Sequence, residues 1–164
     1  MKKALLLFLC MFFLCAYATQ DKMYLHCMDK TTQGVLISTI DSLIFGSGNI
    51  RFHSGNREIS YPVGGLDSIT FGANSNVIDI RYEGKQVCVL NPFAFEGVGI
   101  TTDNGHVTVR STIDSKDVVY RLTGSTTDGM FKIYSDRAFQ LELNGVSITN
   151  ADGPAINIQS RKSV

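Results

Sequence analysis

Apolar and polar residues alternate with a period of two along most of the chain beyond its first 18 residues. Such alternation predicts β-strands with one apolar face and one solvated face. No window of eleven or more residues after this N-terminal segment has apolar residues at helical spacing. The chain is therefore predicted to be all-β. The clearest alternating runs are residues 50–53, 80–83, 106–110, 118–122 and 139–144.

The first half of the chain contains an internal repeat. Residues 40–46 recur as residues 66–72, and a third, diverged copy is expected to start near Val77. Each unit has two short strands joined by a Gly-rich or polar turn. This pattern predicts small repeated β-strand units between residues 19 and 94.

The second half repeats with a different offset. Residues 131–139 align with residues 156–164, which places Phe131 opposite Ile156. Repeats of about 20 to 25 residues made of short strands and polar corners are typical of a parallel β-helix. We expect residues 95–164 to start such a domain and to be incomplete, truncated at the C-terminal end, because the sequence stops as the second coil begins.

The N-terminus has the pattern of an export signal. Two lysines precede twelve apolar residues at 4–15, and a small-x-small motif ends at Ala18. This predicts a signal peptide at residues 1–18, since a spanning helix needs roughly 18 to 20 apolar residues. Bulky Leu9 and Leu14 precede the leader cysteines and argue against lipidation. We expect a protein of the periplasm, cell surface or extracellular space, with no membrane association after cleavage.

Charge and cysteine content narrow the function further. The chain has 15 basic and 15 acidic residues, and removing Lys2 and Lys3 with the leader leaves 13 basic against 15 acidic. Without net positive charge or a basic cluster, nucleic-acid binding is not expected. Cys27 and Cys88 remain after cleavage, and the sequence is compatible with a disulfide between them or with two small buried hydrophobes.

The sequence contains none of the common catalytic signatures. It has no His-Glu-x-x-His or Cys-x-x-Cys spacing and no Gly-x-Ser-x-Gly elbow, and its three histidines lie in separate segments. Zinc chemistry and serine hydrolysis therefore have no support in the sequence.

Three segments carry a resemblance to a known family: residues 119–129, residues 141–150 and the Gly-Pro-Ala-Ile motif at 153–156. They resemble the secreted bacterial carbohydrate-binding domain-containing proteins, whose right-handed parallel β-helix is similar to that of pectate lyases. The resemblance covers residues 95–164, and residues 19–94 resemble Asp-Ser-Ile-Thr-Phe type repeats found ahead of such domains. It implies calcium-assisted binding of plant cell-wall type polysaccharide without demonstrated cleavage.

Tyr134 and Lys132 are the candidate sugar contacts. Phe131 and Ile133 occupy the apolar positions of their strand, so Tyr134 is predicted to lie beside Lys132 on the outer face. The alternative is that Tyr134 is an ordinary surface aromatic, a residue type favoured in strands.

Four residues at strand corners are candidate calcium ligands: Asp128, Asp136, Asn150 and Asp152. Carboxylate, amide and backbone oxygens are ligands that calcium prefers, and a bound cation bridges to sugar carboxylates. The same residue types also stabilise tight turns without any metal.

The sequence thus predicts an exported, non-catalytic protein that binds plant cell-wall type or acidic polysaccharide with calcium assistance. One alternative is a calcium-dependent polysaccharide lyase, in which Arg137 or Lys162 serves as the base. Another is a stalk or adhesin that binds no glycan, and the fold alone does not distinguish these functions.

Overall fold

The computed structural model describes residues 21–54, 57–114 and 117–160, which form strands, turns and two short 3-10 turns. The all-β prediction is confirmed. The predicted signal peptide at residues 1–18 lies outside the described residues, as does Lys162. Within the described ranges, no helix has the length and apolar character needed to cross a membrane.

The strands are short and follow one another closely along the chain. They are β1 (Lys22–Cys27), β2 (Thr31–Leu36), β3 (Ser42–Gly46), β4 (Asn49–Ser54), β5 (Arg57–Pro62), β6 (Leu66–Gly72), β7 (Val77–Glu83), β8 (Gln86–Asn91), β9 (Val98–Asp103), β10 (His106–Ser111), β11 (Val119–Thr126), β12 (Met130–Ser135), β13 (Gln140–Leu143), β14 (Ser147–Ile148) and β15 (Ile156–Ser160).

The described strands form three sheets. The largest has eight strands in the order β13-β11-β7-β8-β2-β1-β6, with β14 also paired to β11. A four-stranded sheet has the order β15-β12-β10-β9, and a three-stranded antiparallel sheet has the order β3-β4-β5.

Parallel pairing dominates the second half of the chain. In the four-stranded sheet, β12 pairs in parallel with β10 on one side and with β15 on the other. Phe131 lies opposite Ile156, so the register expected from the sequence repeat is observed. In the eight-stranded sheet, β11 pairs in parallel with β7 and with β13. Successive segments of the chain thus add one strand to each of two growing sheets.

The main core lies where the inward faces of these two parallel stacks meet. Ile80 and Leu122 from the eight-stranded sheet and Val109 and Ile133 from the four-stranded sheet are fully buried members of one cluster. Tyr120 packs edge-on against Phe139, with ring centroids 5.3 Å apart. Alternate residues of each strand therefore point into this core, and the residues between them form the outward faces of the two sheets.

A second core lies in the N-terminal part of the chain, and its buried members are Met23, Leu25, Val35, Ile50 and Phe52. The two copies of the first sequence repeat contribute β3 and β6, each separated by no more than two residues from the 3-10 turn before it. β3 pairs with β4, whereas β6 pairs with β1. The two similar segments thus belong to different sheets.

The predicted boundary between residues 94 and 95 falls in a segment that contacts both cores. Phe93 belongs to the main core and Phe95 packs against the second core. Lys22 is fully buried and forms an ion pair with Glu96 at 2.7 Å. The eight-stranded sheet likewise contains strands from both sides of this boundary.

The outermost strands of the two stacks cover their core side chains less well. Leu143 on β13 and Ile158 on β15 are 56% and 38% exposed. Their partners on the neighbouring strands, Leu122 and Ile133, are fully buried. Burial therefore decreases at the last strand of each stack.

Candidate functional site

Parallel pairing aligns the outward residues of β10, β12 and β15 in two rows. One row contains Thr108, Lys132 and Asn157. The other contains Arg110, Tyr134 and Gln159. We call the surface formed by these six residues the basic face.

Tyr134 holds the two cations of the basic face. The guanidinium carbon of Arg110 lies over the Tyr134 ring, 4.6 Å from its centroid, and Lys132 Nζ lies over the same ring at 5.0 Å. Both distances are within the range of cation–π attraction. Arg110 is exposed, whereas Lys132 and Tyr134 are half-buried. The ring therefore fixes two positive charges beside each other on a solvent-facing surface.

Neither cation of the basic face forms a salt bridge with a carboxylate in the part of the chain that the structure describes. The neighbouring acids have other partners at the two ends of the strands. Asp114 pairs with Arg137 at one end, and Asp128 lies 4.0 Å from His106 at the other. The middle of the basic face is therefore positively charged.

Polar side chains and open space flank the two cations. The Gln159 amide donates to Asn157 Oδ1 at 2.7 Å, and these amides offer donors and acceptors suited to sugar hydroxyls. On the other side, Gly99 of β9 lies opposite Arg110. A Cβ atom at Gly99 would meet only the Arg110 carbonyl oxygen, at 3.9 Å. The missing side chain leaves a shallow trough beside the backbone of Arg110.

An arginine on the outer face of the eight-stranded sheet has a carboxylate on each side, unlike Arg110. Arg121 on β11 lies opposite Asp79 on one side and Glu142 on the other. Its Nε is 3.1 Å from Glu142 and its Nη1 is 3.3 Å from Asp79. The hydrogen bond that Arg121 donates to Glu142 is the main cause of its raised pKa. We call Asp79, Arg121 and Glu142 the paired face.

The structure places Tyr134 and Lys132 side by side on the outer surface, as the alternation predicted. Their role as sugar contacts stays a prediction. Sequence reasoning did not select Arg110, although residues 106–111 share with residues 130–135 the apolar second and fourth positions and the final serine. Aligning these two segments identifies Arg110 as the neighbour of Tyr134.

The four candidate calcium ligands lie at two opposite ends of β12. Asp128 precedes the strand and Asp136 follows it. The six residues of β12 span roughly 20 Å, and this length separates the two corners. Asn150 and Asp152 belong to the Asp128 end, because the Gly129 amide donates to the Thr149 carbonyl at 2.9 Å. Asp136 therefore does not share a site with the other three.

Turn geometry already uses the Asn150 side chain. Its Oδ1 accepts a hydrogen bond from the Asp152 amide, and its Nδ2 donates to the Pro154 carbonyl. Among the described residues, no group of three or more His, Cys, Asp or Glu side chains has the geometry of a metal site. Calcium binding at this corner stays a prediction that direct measurement must test.

Cys27 and Cys88 are free thiols in this structure, so the disulfide that the sequence allowed is not formed. Both line an open groove of about 440 Å³ on the eight-stranded sheet, and both are half-buried. Burial raises the Cys27 pKa, with a smaller opposite effect from a hydrogen bond to Thr31. The structure is thus nearer to the other expectation, two small buried hydrophobes, although both side chains are only half-buried.

Comparison with known proteins relates the C-terminal part of the chain to a family. A family model described as "Carbohydrate-binding domain-containing protein" matches residues 101–164. No curated protein and no solved structure matches the chain. The matched segment contains all six residues of the basic face and supports a carbohydrate-binding role for this part of the chain.

Proposed function

We propose that this chain is an exported, non-catalytic protein that binds polysaccharide through the basic face. The observation that carries the proposal is that the carbohydrate-binding family match and the basic face fall on the same residues, 101–164. An array of aligned cations, an aromatic ring and amides offers a flat polar surface on which an extended polymer can lie.

We also propose that residues 95–164 form the first coils of a right-handed parallel β-helix. The support is the pairing of β12 with both β10 and β15 in parallel, together with the parallel pairing of β11 with β7 and β13. Corners also stack, since the Met130 amide donates to the Gly105 carbonyl at 3.1 Å. Stacked strands and stacked corners are the defining contacts of a solenoid.

The proposed ligand is plant cell-wall type or acidic polysaccharide. The positive middle of the basic face favours polymers that carry carboxylates. Calcium assistance is proposed at the corner that contains Asp128, Asn150 and Asp152, where a backbone hydrogen bond from Gly129 to Thr149 joins two successive corners.

Pull-down on insoluble polysaccharides tests the proposal. We expect the chain without residues 1–18 to sediment with acidic polymers, and Tyr134→Ala combined with Lys132→Ala to reduce the bound fraction. Thr123→Ala is the matched control, because Thr123 is an outward residue of the eight-stranded sheet. Retention of full binding by the double variant would reject the basic face as the binding surface.

A chelator separates the calcium proposal from the carbohydrate proposal. If calcium adds a bridge between protein and polymer, EDTA lowers the bound fraction, and Asp128→Asn with Asp152→Asn lowers it without EDTA. If both treatments leave sedimentation unchanged, calcium assistance is rejected while polysaccharide binding stands.

No contact in the described residues favours the lyase alternative. Arg137, one proposed base, forms an ion pair with Asp114. Incubation with polyuronate would reveal a lyase by the ultraviolet absorbance of unsaturated uronate products. We expect a flat absorbance trace, and a rising trace would overturn the non-catalytic assignment.

A further inference from the structure

We propose that the basic face recognises the carboxylates of a polyuronate directly, through Arg110, without a bridging metal ion. This inference rests on the proposed function and adds the recognising residue and the charged group that it binds.

Arg110 forms no salt bridge among the described residues, so no carboxylate engages its N–H donors there. A guanidinium that lies over an aromatic ring uses its flat face, while its N–H donors lie in its own plane. These donors match the two oxygens of a carboxylate in a bidentate pair. Tyr134 is therefore a positioning residue, and Arg110 is the group that contacts the anion.

Lys132 strengthens the same local potential. Both cations lie within 5.0 Å of one ring centroid. They are consequently closer to each other than the Debye length of about 10 Å at 0.1 M salt, so their repulsion is only partly screened. A bound carboxylate relieves this repulsion, which favours an anionic sugar over a neutral one.

The paired face provides an internal comparison for this argument. The Arg121 guanidinium donates hydrogen bonds to Glu142 and Asp79, at 3.1 and 3.3 Å. Arg110 has Gly99 and Tyr134 in the corresponding neighbouring positions. Arg121 therefore lies between two carboxylates, whereas Arg110 lies between a glycine and an aromatic ring.

Access to Arg110 comes through the trough at Gly99. Gly99 is exposed, and the space where its side chain would be holds no atom closer than the Arg110 carbonyl oxygen at 3.9 Å. β9 therefore places no side chain opposite Arg110 at this register position.

The test measures affinity for three polymers in EDTA at 0.1 M NaCl. These are polygalacturonate, its fully methyl-esterified form, which has the same sugar chain without charge, and dextran sulfate. We expect the free acid to bind about tenfold more tightly than the ester, the effect of one charge-assisted hydrogen-bonded pair. We expect Arg110→Gln to remove this preference and leave binding of the ester unchanged.

Arg121→Gln is the matched control, because it removes an outward arginine whose donors are already used. It should leave the preference for the free acid intact. Tyr134→Phe should also keep the preference, since phenylalanine retains a ring for stacking, whereas Tyr134→Leu should reduce it. Raising NaCl to 1 M shortens the Debye length to about 3 Å and should weaken binding of the acid more than binding of the ester.

The outcomes separate this inference from the proposed function. Equal affinity for the acid and the ester overturns direct carboxylate recognition and leaves polysaccharide binding standing. Affinity for dextran sulfate equal to that for the free acid overturns the carboxylate assignment in favour of general anion binding. Loss of the acid preference in Arg121→Gln also contradicts the inference. Failure to bind any polymer in EDTA overturns metal-free recognition, and failure to bind with added calcium as well rejects the proposed function itself.

Discussion

Arg110 and Arg121 are outward arginines on two sheets that share one core, and they differ in what lies opposite them. β11 has an acidic residue on each side of Arg121, so its charge is balanced within the protein. β10 has Gly99 and Tyr134 on the two sides of Arg110. In both sheets, the residues opposite an outward arginine on the neighbouring strands determine whether its charge is balanced within the protein or remains available to a ligand.

This difference also explains why the two faces are assigned different roles. Neutralised ion pairs between strands contribute modestly to stability and have little charge left for a partner. Unneutralised cations held on a ring contribute a comparable amount to stability but also raise the local potential. We therefore assign the paired face to structure and the basic face to binding.

The largest expected effect concerns the core side chains beneath the two faces, and it tests whether both faces are equally well packed. Leu122 lies beneath the paired face and Ile133 beneath the basic face, and both are fully buried. Leu122→Ala and Ile133→Ala should each lower the free energy of unfolding by about 3 kcal/mol, the usual cost of such core truncations. Urea unfolding followed by circular dichroism measures both. A negligible loss for Ile133→Ala would mean that the basic face is poorly packed.

Charge reversal should separate the two arginines most clearly. Arg110→Glu should weaken polygalacturonate binding by between about tenfold and a hundredfold, because an attraction becomes a repulsion. Arg121→Glu should leave binding unchanged and lower the urea midpoint, because it places a third carboxylate between Asp79 and Glu142. Titration calorimetry and urea unfolding on both variants check the two effects. A binding defect in Arg121→Glu with a normal urea midpoint would reverse our assignment.

The smallest expected effect concerns the trough beside Arg110. Gly99→Thr should lower affinity by about threefold by filling this space, while stability is kept or slightly raised because threonine favours strands. Gly46→Thr is the control, since Gly46 lies on β3 and a Cβ atom added there would meet no other atom within 4 Å. Equal polygalacturonate affinities for the two variants, measured by calorimetry, would show that the trough plays no part in binding.

Periodicity predicted the all-β class and the buried faces of β4, β7, β10 and β11. The all-β class and the register of Phe131 with Ile156 followed from alternation and from one repeat, since parallel pairing of repeated segments places matching residues opposite each other. The outward position of Tyr134 followed from the same alternation. These features depend on local pattern, which a single sequence contains.

Contacts between less similar segments were harder to predict. β7 and β11 pair in parallel although Ile80 and Leu122 lie in segments that show no clear repeat. The calcium candidates all lie at corners, but the sequence did not show that β12 separates Asp136 from Asp128. Residues that share a chemical type come together only when the fold brings their corners to the same side.

The central claim is that polyuronate contacts the basic face and does not contact the paired face. Nuclear magnetic resonance of the isotopically labelled chain, titrated with a galacturonate oligomer in EDTA, reports on both faces in one experiment. We predict that amide shifts concentrate at residues 108–110, 132–134 and 157–159, with Asp79, Arg121 and Glu142 unmoved. Shifts centred on Asp79, Arg121 and Glu142, or no shifts on either face, would contradict the account.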